Sequence, residues 1–136
     1  MSQTLTVGEV PQMLASLFAP WVQELGLVIL SLEPGHAVFR LPVSTLLCRE
    51  GGSVCGQALM SAADTCMVFA ISAQLGEFRA MTTVSMNASF LRPVTGHALI
   101  TAKLLKPGKS LMFGQIEISS LDGKLCAQAT TTYAML

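Results

Sequence analysis

From residue 54 to residue 72 apolar side chains fall on nearly every face of a helical repeat, the pattern of a helix surrounded by protein on most sides. The segments that flank it alternate instead. Residues 26–32 and 36–43 are β-rich and joined by Glu33-Pro34-Gly35, which predicts a hairpin, and residues 44–52 read as a connecting loop. Further on, Val84, Met86, Ala88 and Phe90 alternate with Thr83, Ser85, Asn87 and Ser89, the period of a strand with one dry face. Pro93-Val94-Thr95-Gly96 interrupts it, and residues 98–105 resume. Lys106-Pro107-Gly108-Lys109 makes a turn before residues 111–119. Asp122-Gly123 predicts a tight hairpin turn into residues 125–135. Near the start, Val10, Met13, Leu14, Leu17 and Phe18 keep helical spacing, with Thr6 and Glu9 as a capping box and Pro20 near the stop. This predicts an N-terminal helix over about residues 7–19, anchored by Phe18 and Trp21. The economical packing of these parts is an α+β single domain over residues 1–136, one long central helix wrapped by a six-stranded, largely antiparallel sheet.

Charge changes the picture next. Only 12% of residues are charged and 51% are apolar, against about 25% charged in ordinary domains. So few charges leave a lone chain poorly covered, which predicts a homo-oligomer with broad apolar interfaces. A formal net charge of zero argues against nucleic acid as a partner. No membrane span is expected, because Asp64 interrupts the longest apolar stretch short of the roughly 18 residues required. Residues 1–10 hold no basic residue and no apolar block, so no signal peptide is expected. Cys48, Cys55, Cys66 and Cys126 form no CxxC pair and have no histidine at ligand spacing. They read as reduced thiols of a cytoplasmic protein, with no metal site and no disulfide framework.

The chemistry concentrates at Asp64, the only charge between Glu50 and Glu77. A carboxylate in such an apolar setting is costly without a partner, and burial of this kind often tunes a functional acid. The alternative is an acid satisfied by a nearby hydroxyl or backbone donor.

The run Val54-Cys55-Gly56-Gln57-Ala58-Leu59-Met60-Ser61-Ala62-Ala63-Asp64-Thr65, followed by Ala88-Ser89-Phe90-Leu91-Arg92-Pro93, Lys106-Pro107-Gly108-Lys109 and Asp122-Gly123-Lys124, resembles the hotdog-fold acyl-CoA thioesterases of the phenylacetate-pathway type. The resemblance runs from about Trp21 to the C-terminus. It implies a hotdog fold and hydrolysis of a small aryl or medium-chain acyl-CoA. It also implies a homodimer, and by further assembly a homotetramer, with no cofactor beyond the coenzyme A thioester itself. Cys55 stands where the family has histidine, Gln57 where it has a second glycine, and Arg49 where it often has an amide. These departures motivate a second reading, a non-catalytic acyl-CoA-binding or sensing module. By the same resemblance Cys55, Arg49, Gln57, Ser85 and Asn87 belong to the substrate site, and Arg92, Lys106 and Lys109 meet the phosphates of coenzyme A. Thr65, Ser61 and Val68 would flank the acyl pocket. Met60, Met67, Met81 and Met86 read as core fillers rather than pocket walls.

Thioester hydrolysis needs a base or nucleophile and donors for the developing oxyanion. Gly56, at a helix N-terminus with unpaired N–H groups, suits the second role. Asp64 lies eight residues on, about 12 Å along the axis, so one carbonyl cannot contact both groups of a single helix. If both act, the acid comes from a neighbouring subunit, with two helices side by side and antiparallel. Cys55 as a nucleophile lacks an evident partner, since His36 and His97 fall in predicted hairpins.

Overall fold

The computed structural model describes residues 4–136. Residues 1–3, part of the stretch read as free of a signal peptide, lie outside them. The chain forms α1 (Val10–Leu17), α2 (Pro20–Gln23), β1 (Val28–Glu33), β2 (His36–Leu41), α3 (Gly56–Leu75), β3 (Met81–Phe90), β4 (Ala98–Pro107), β5 (Leu111–Ser120) and β6 (Leu125–Met135). The six strands make one sheet in the order β1-β2-β4-β5-β6-β3. Every pairing is antiparallel. This is the hotdog arrangement, a curved sheet around one long helix.

α3 packs on β2, β4 and β5. Its Leu59, Ala62, Ala63, Cys66, Met67, Phe69, Ala70 and Ile71 are buried against Phe39, Ile100, Ile116 and Tyr133. Alanines on this face let the strands approach closely, and the Phe69 ring packs between Phe39 and Phe18, at ring separations of 5.4 and 5.7 Å. Gly114 on β5 is a second close approach. A Cβ there would stand 2.3 Å from the Met67 methyl carbon, so Gly114→Ala forces Met67 out of its seat. That substitution is expected to destabilise the fold by about 1–3 kcal/mol, read as a lowered urea midpoint.

Several local expectations are corrected. Phe18 anchors the N-terminal segment, but Trp21 is 58% exposed and anchors nothing. Thr6 stands at the N-cap of a 3₁₀ turn (Val7–Glu9) that precedes α1, but the capping box is not made: its hydroxyl donates to the Glu9 carboxylate instead of accepting from the backbone. Pro20 lies near the stop of α1, as expected, three residues past Leu17, and it also opens α2 at the first helical position, where its missing N–H is harmless. The central helix starts at Gly56 and continues to Leu75, where Gly76 ends it with φ 82°. At 20 residues that helix is, by length and composition alone, long and apolar enough to cross a membrane, contrary to the sequence reading. Here 67% of its most apolar window is buried inside the fold, as in a core helix. The expected tight turn at Asp122-Gly123 is present: the connection runs from Leu121 to Lys124, the Gly123 N–H donates to the Ser120 carbonyl with Gly123 at φ 90°, and the Ser120 N–H donates to the Lys124 carbonyl.

The largest difference lies in β3. Its ladder with β6 slips between Thr83 and Ser85, a β-bulge at Val84. Strict alternation puts Thr83 with Ser85 and Asn87. The extra residue instead brings Thr83 to the helix side, opposite Tyr133, while Val84 is left 58% exposed. Bulges beside sites commonly re-aim one side chain in this way.

Candidate active site

α3 begins without a capping side chain. Cys55 occupies the N-cap with extended backbone (φ −69°, ψ 152°) and makes no side-chain cap bond. The first-turn N–H groups beginning at Gly56 therefore keep their donor capacity, and the helix dipole adds positive potential there. The loop before it is held by the Cys55 N–H on the Leu47 carbonyl and by the Val54 N–H on the Val94 carbonyl. Phe90 from β3 lies against Gly56; a Cβ there would stand 3.4 Å from the ring. That is ordinary contact, so packing alone does not require a glycine here.

Two depressions adjoin across Leu59 and Phe90. One is a cleft bounded by Arg49, Ser53, Gly56, Leu59, Phe90 and Arg92, with no acidic residue on its walls. The other is an apolar crevice between α3 and the sheet, lined by Leu59, Met60, Ala63, Phe90, Ile116 and Ile118 among others. Leu59 and Phe90 border both. Met60 is therefore a crevice wall, whereas Met67 is core.

Asp64 is half-buried on the flank of α3 that turns toward β6 and β3. Its carboxylate does have partners. Tyr133 donates to Oδ1 at 2.5 Å and Thr83 donates to the same oxygen at 2.8 Å. The reading of an acid satisfied by hydroxyls is thus realised at one oxygen, while Oδ2 takes no hydrogen bond from the described residues. Burial, then the neighbouring Asp64 charge and the hydrogen bond to it, raise the Tyr133 pKa far above the ordinary phenol value, so it remains a donor. Asp64 itself lines neither depression of the single chain. Neither Tyr133 nor Thr83 was singled out from sequence. One sits 69 residues from Asp64 and the other becomes available only through the bulge.

The remaining residues divide. Arg49, Arg92 and Gly56 share one cleft, with Cys55 and the exposed Gln57 beside it. Val68 is half-buried one turn beyond Asp64. Thr65 is buried and its hydroxyl is used on the Ser61 carbonyl at 2.8 Å, so it is not presented to a ligand. Ser85 and Asn87 are exposed and paired with Thr132 and Thr130, on the sheet face away from α3, beside Phe113 and Leu105. Lys106 and Lys109 lie at the far end of β4, near the C-terminal end of α3, where Leu104 and Gln74 both approach Gly35. One chain therefore does not bring them to Gly56. Among the described residues no three His, Cys, Asp or Glu side chains gather as metal ligands do.

The sequence profile of the thioesterase superfamily matches residues 51–127. A Saccharolobus solfataricus protein provisionally named an esterase is 30% identical over 109 residues, covering 79% of this chain and 77% of its own. Zebrafish thioesterase superfamily member 2 superposes with a TM-score of 0.86 at 28% identity, over 98% of this chain and 100% of the other. The PaaI protein of the E. coli phenylacetic acid degradation operon superposes at 0.83 with 24% identity, over 95% and 91%, and shares the fold.

Proposed function

Because the chain belongs to the thioesterase superfamily, we propose that it hydrolyses the thioester of a small aryl or medium-chain acyl-CoA at sites shared between two copies. The observation that carries this reading is the arginine-walled cleft at Gly56 and the apolar crevice that adjoins it across Leu59 and Phe90. A thioester carbonyl at the Gly56 N–H sends its polar remainder toward Arg49 and Arg92 and its acyl group toward the apolar walls Leu59, Met60 and Phe90. The crevice of the single chain holds only about 10 Å³ there and must widen to admit it. Backbone N–H groups placed there stabilise the oxyanion as it forms.

The acid comes from the partner. α3 is one continuous helix from Gly56 to Leu75, so Asp64 of the same chain stands about 12 Å along the axis from Gly56. Antiparallel packing of two such helices sets Gly56 of one subunit beside Asp64 of the other. The same offset places the partner's Lys106 end about 15 Å beyond its Asp64, by the ten residues from Asp64 to Gln74, where the coenzyme phosphates would lie. Exposed apolar groups on this side, Met60, Val84, Phe90 and Leu91, and the unpaired edge of β3 favour coverage by a second copy. A tetramer follows if the outer sheet face, with Leu105 and Phe113 exposed, also pairs. Four free cysteines suit the cytoplasm.

Asp64 acts either as base on water, which attacks the carbonyl carbon and expels the coenzyme thiolate, or as nucleophile giving a mixed anhydride that water then cleaves. The test is thiol release across a panel of acyl-CoAs. Turnover is expected for aryl and medium-chain thioesters, and its absence throughout would sink the enzymatic reading. Arg49 and Cys55, in place of the family's amide and histidine, favour one alternative, a sensor; tight binding without release would select it.

A further inference from the structure

Thr83 and Tyr133 are direct partners across the β3–β6 ladder, and their hydroxyls converge on one carboxylate oxygen of Asp64. Tyr133 is 1% exposed, its ring fixed in the core, so the sheet rather than solvent decides where its hydroxyl stands. It also lies outside the span that the superfamily profile covers, residues 51–127. Resting on the reading of Asp64 as the reacting acid, we propose that Tyr133 is a positioning residue: its hydroxyl pins Oδ1, so that Oδ2 is the oxygen turned to the thioester or to its attacking water.

The physical need is plain. A carboxylate on a helix flank samples several rotamers, and its two oxygens exchange by a simple flip. A hydrogen bond to a charged acceptor is about twice as strong as a neutral one, and a buried phenol from another element is a rigid donor. Two donors on Oδ1 fix both the rotamer and the plane of the group. They also draw electron density from the carboxylate, which works against basicity. The benefit therefore lies in alignment of reacting atoms, where small displacements cost large factors in rate. Alignment acts on kcat and leaves the cleft that binds the coenzyme untouched.

Tyr133→Phe removes one oxygen and keeps the ring in the core. It is expected to lower kcat roughly 10- to 100-fold, the loss of one hydrogen bond to a charged group, with KM held within about twofold. In an Asp64→Asn background the same substitution is expected to add less than about a twofold effect, because the group it positions is gone. A merely structural role would lower residual activity and melting temperature alike in both backgrounds, and that result overturns the proposal. Full kcat in Tyr133→Phe with Asp64→Asn inactive also overturns it and leaves the Asp64 reading standing. An active Asp64→Asn overturns both. Should Tyr133→Phe not fold, 4-aminophenylalanine at position 133 keeps a para group of similar size but a weaker donor than the phenol, and so loosens this one bond. A kcat lowered at least about twofold with KM preserved supports the role, and an unchanged kcat refutes it.

Discussion

An Asp64→Asn protein is expected to fold normally and to lose roughly 10²- to 10⁴-fold in turnover, the range for removing a positioned base. Asparagine matches aspartate in size, and its amide oxygen still accepts from Tyr133 and Thr83, which now bond Oδ1 at 2.5 and 2.8 Å. The NH₂ then occupies the place of Oδ2, where it can neither take a proton nor attack a carbonyl. The loss is chemical rather than structural. Steady-state thiol release, with circular dichroism and thermal melting alongside, separates the two. Wild-type hydrolysis by a purified, folded Asp64→Asn protein would remove Asp64 from the reaction.

The second large effect concerns a backbone group. Gly56→Pro removes the N–H at the first position of α3 and adds a ring whose Cβ makes ordinary contact with Phe90, and proline suits that position. Cys55, at ψ 152°, already has the extended conformation that a residue before proline requires. The expected loss is about 10²- to 10³-fold in kcat, the usual effect of removing one oxyanion donor. Gly56→Ala is the control, since it keeps the N–H and adds a Cβ in ordinary contact with the Phe90 ring at 3.4 Å. Equal losses in both would assign Gly56 to packing alone. Mixing the two inactive proteins adds a second test. A hybrid of Asp64→Asn with Gly56→Pro has one intact composite site, so random exchange of subunits restores about a quarter of full activity if sites are shared. If each chain carries its own complete site, mixing restores nothing.

The elements were largely readable because each carries its own period. The unbroken apolar stretch from Val54 announced a buried helix, and the alternation in β4, β5 and β6 followed from one dry and one wet face. Gly56 and Asp64 stood out for local reasons, a residue without a side chain at a helix start and a lone charge in an apolar run. Boundaries moved where a local signal competed with tertiary packing. The central helix ran past Ser72 to Leu75, where Gly76 supplies the left-handed stop.

The chain's own patterning determined that a single helix must be wrapped by strands, and that one carboxylate must travel inside with it. Only the tertiary structure decided what that carboxylate meets. A one-residue slip in β3 turns Thr83 inward, and the antiparallel ladder sets Tyr133 directly across from it. Hydrogen bonds of that kind join residues far apart in the chain, and no periodicity records them. Apolar alternation reports which face of an element is dry, because burial acts on each side chain separately. The partners of a polar atom depend on register between strands, which is fixed only when the whole sheet closes.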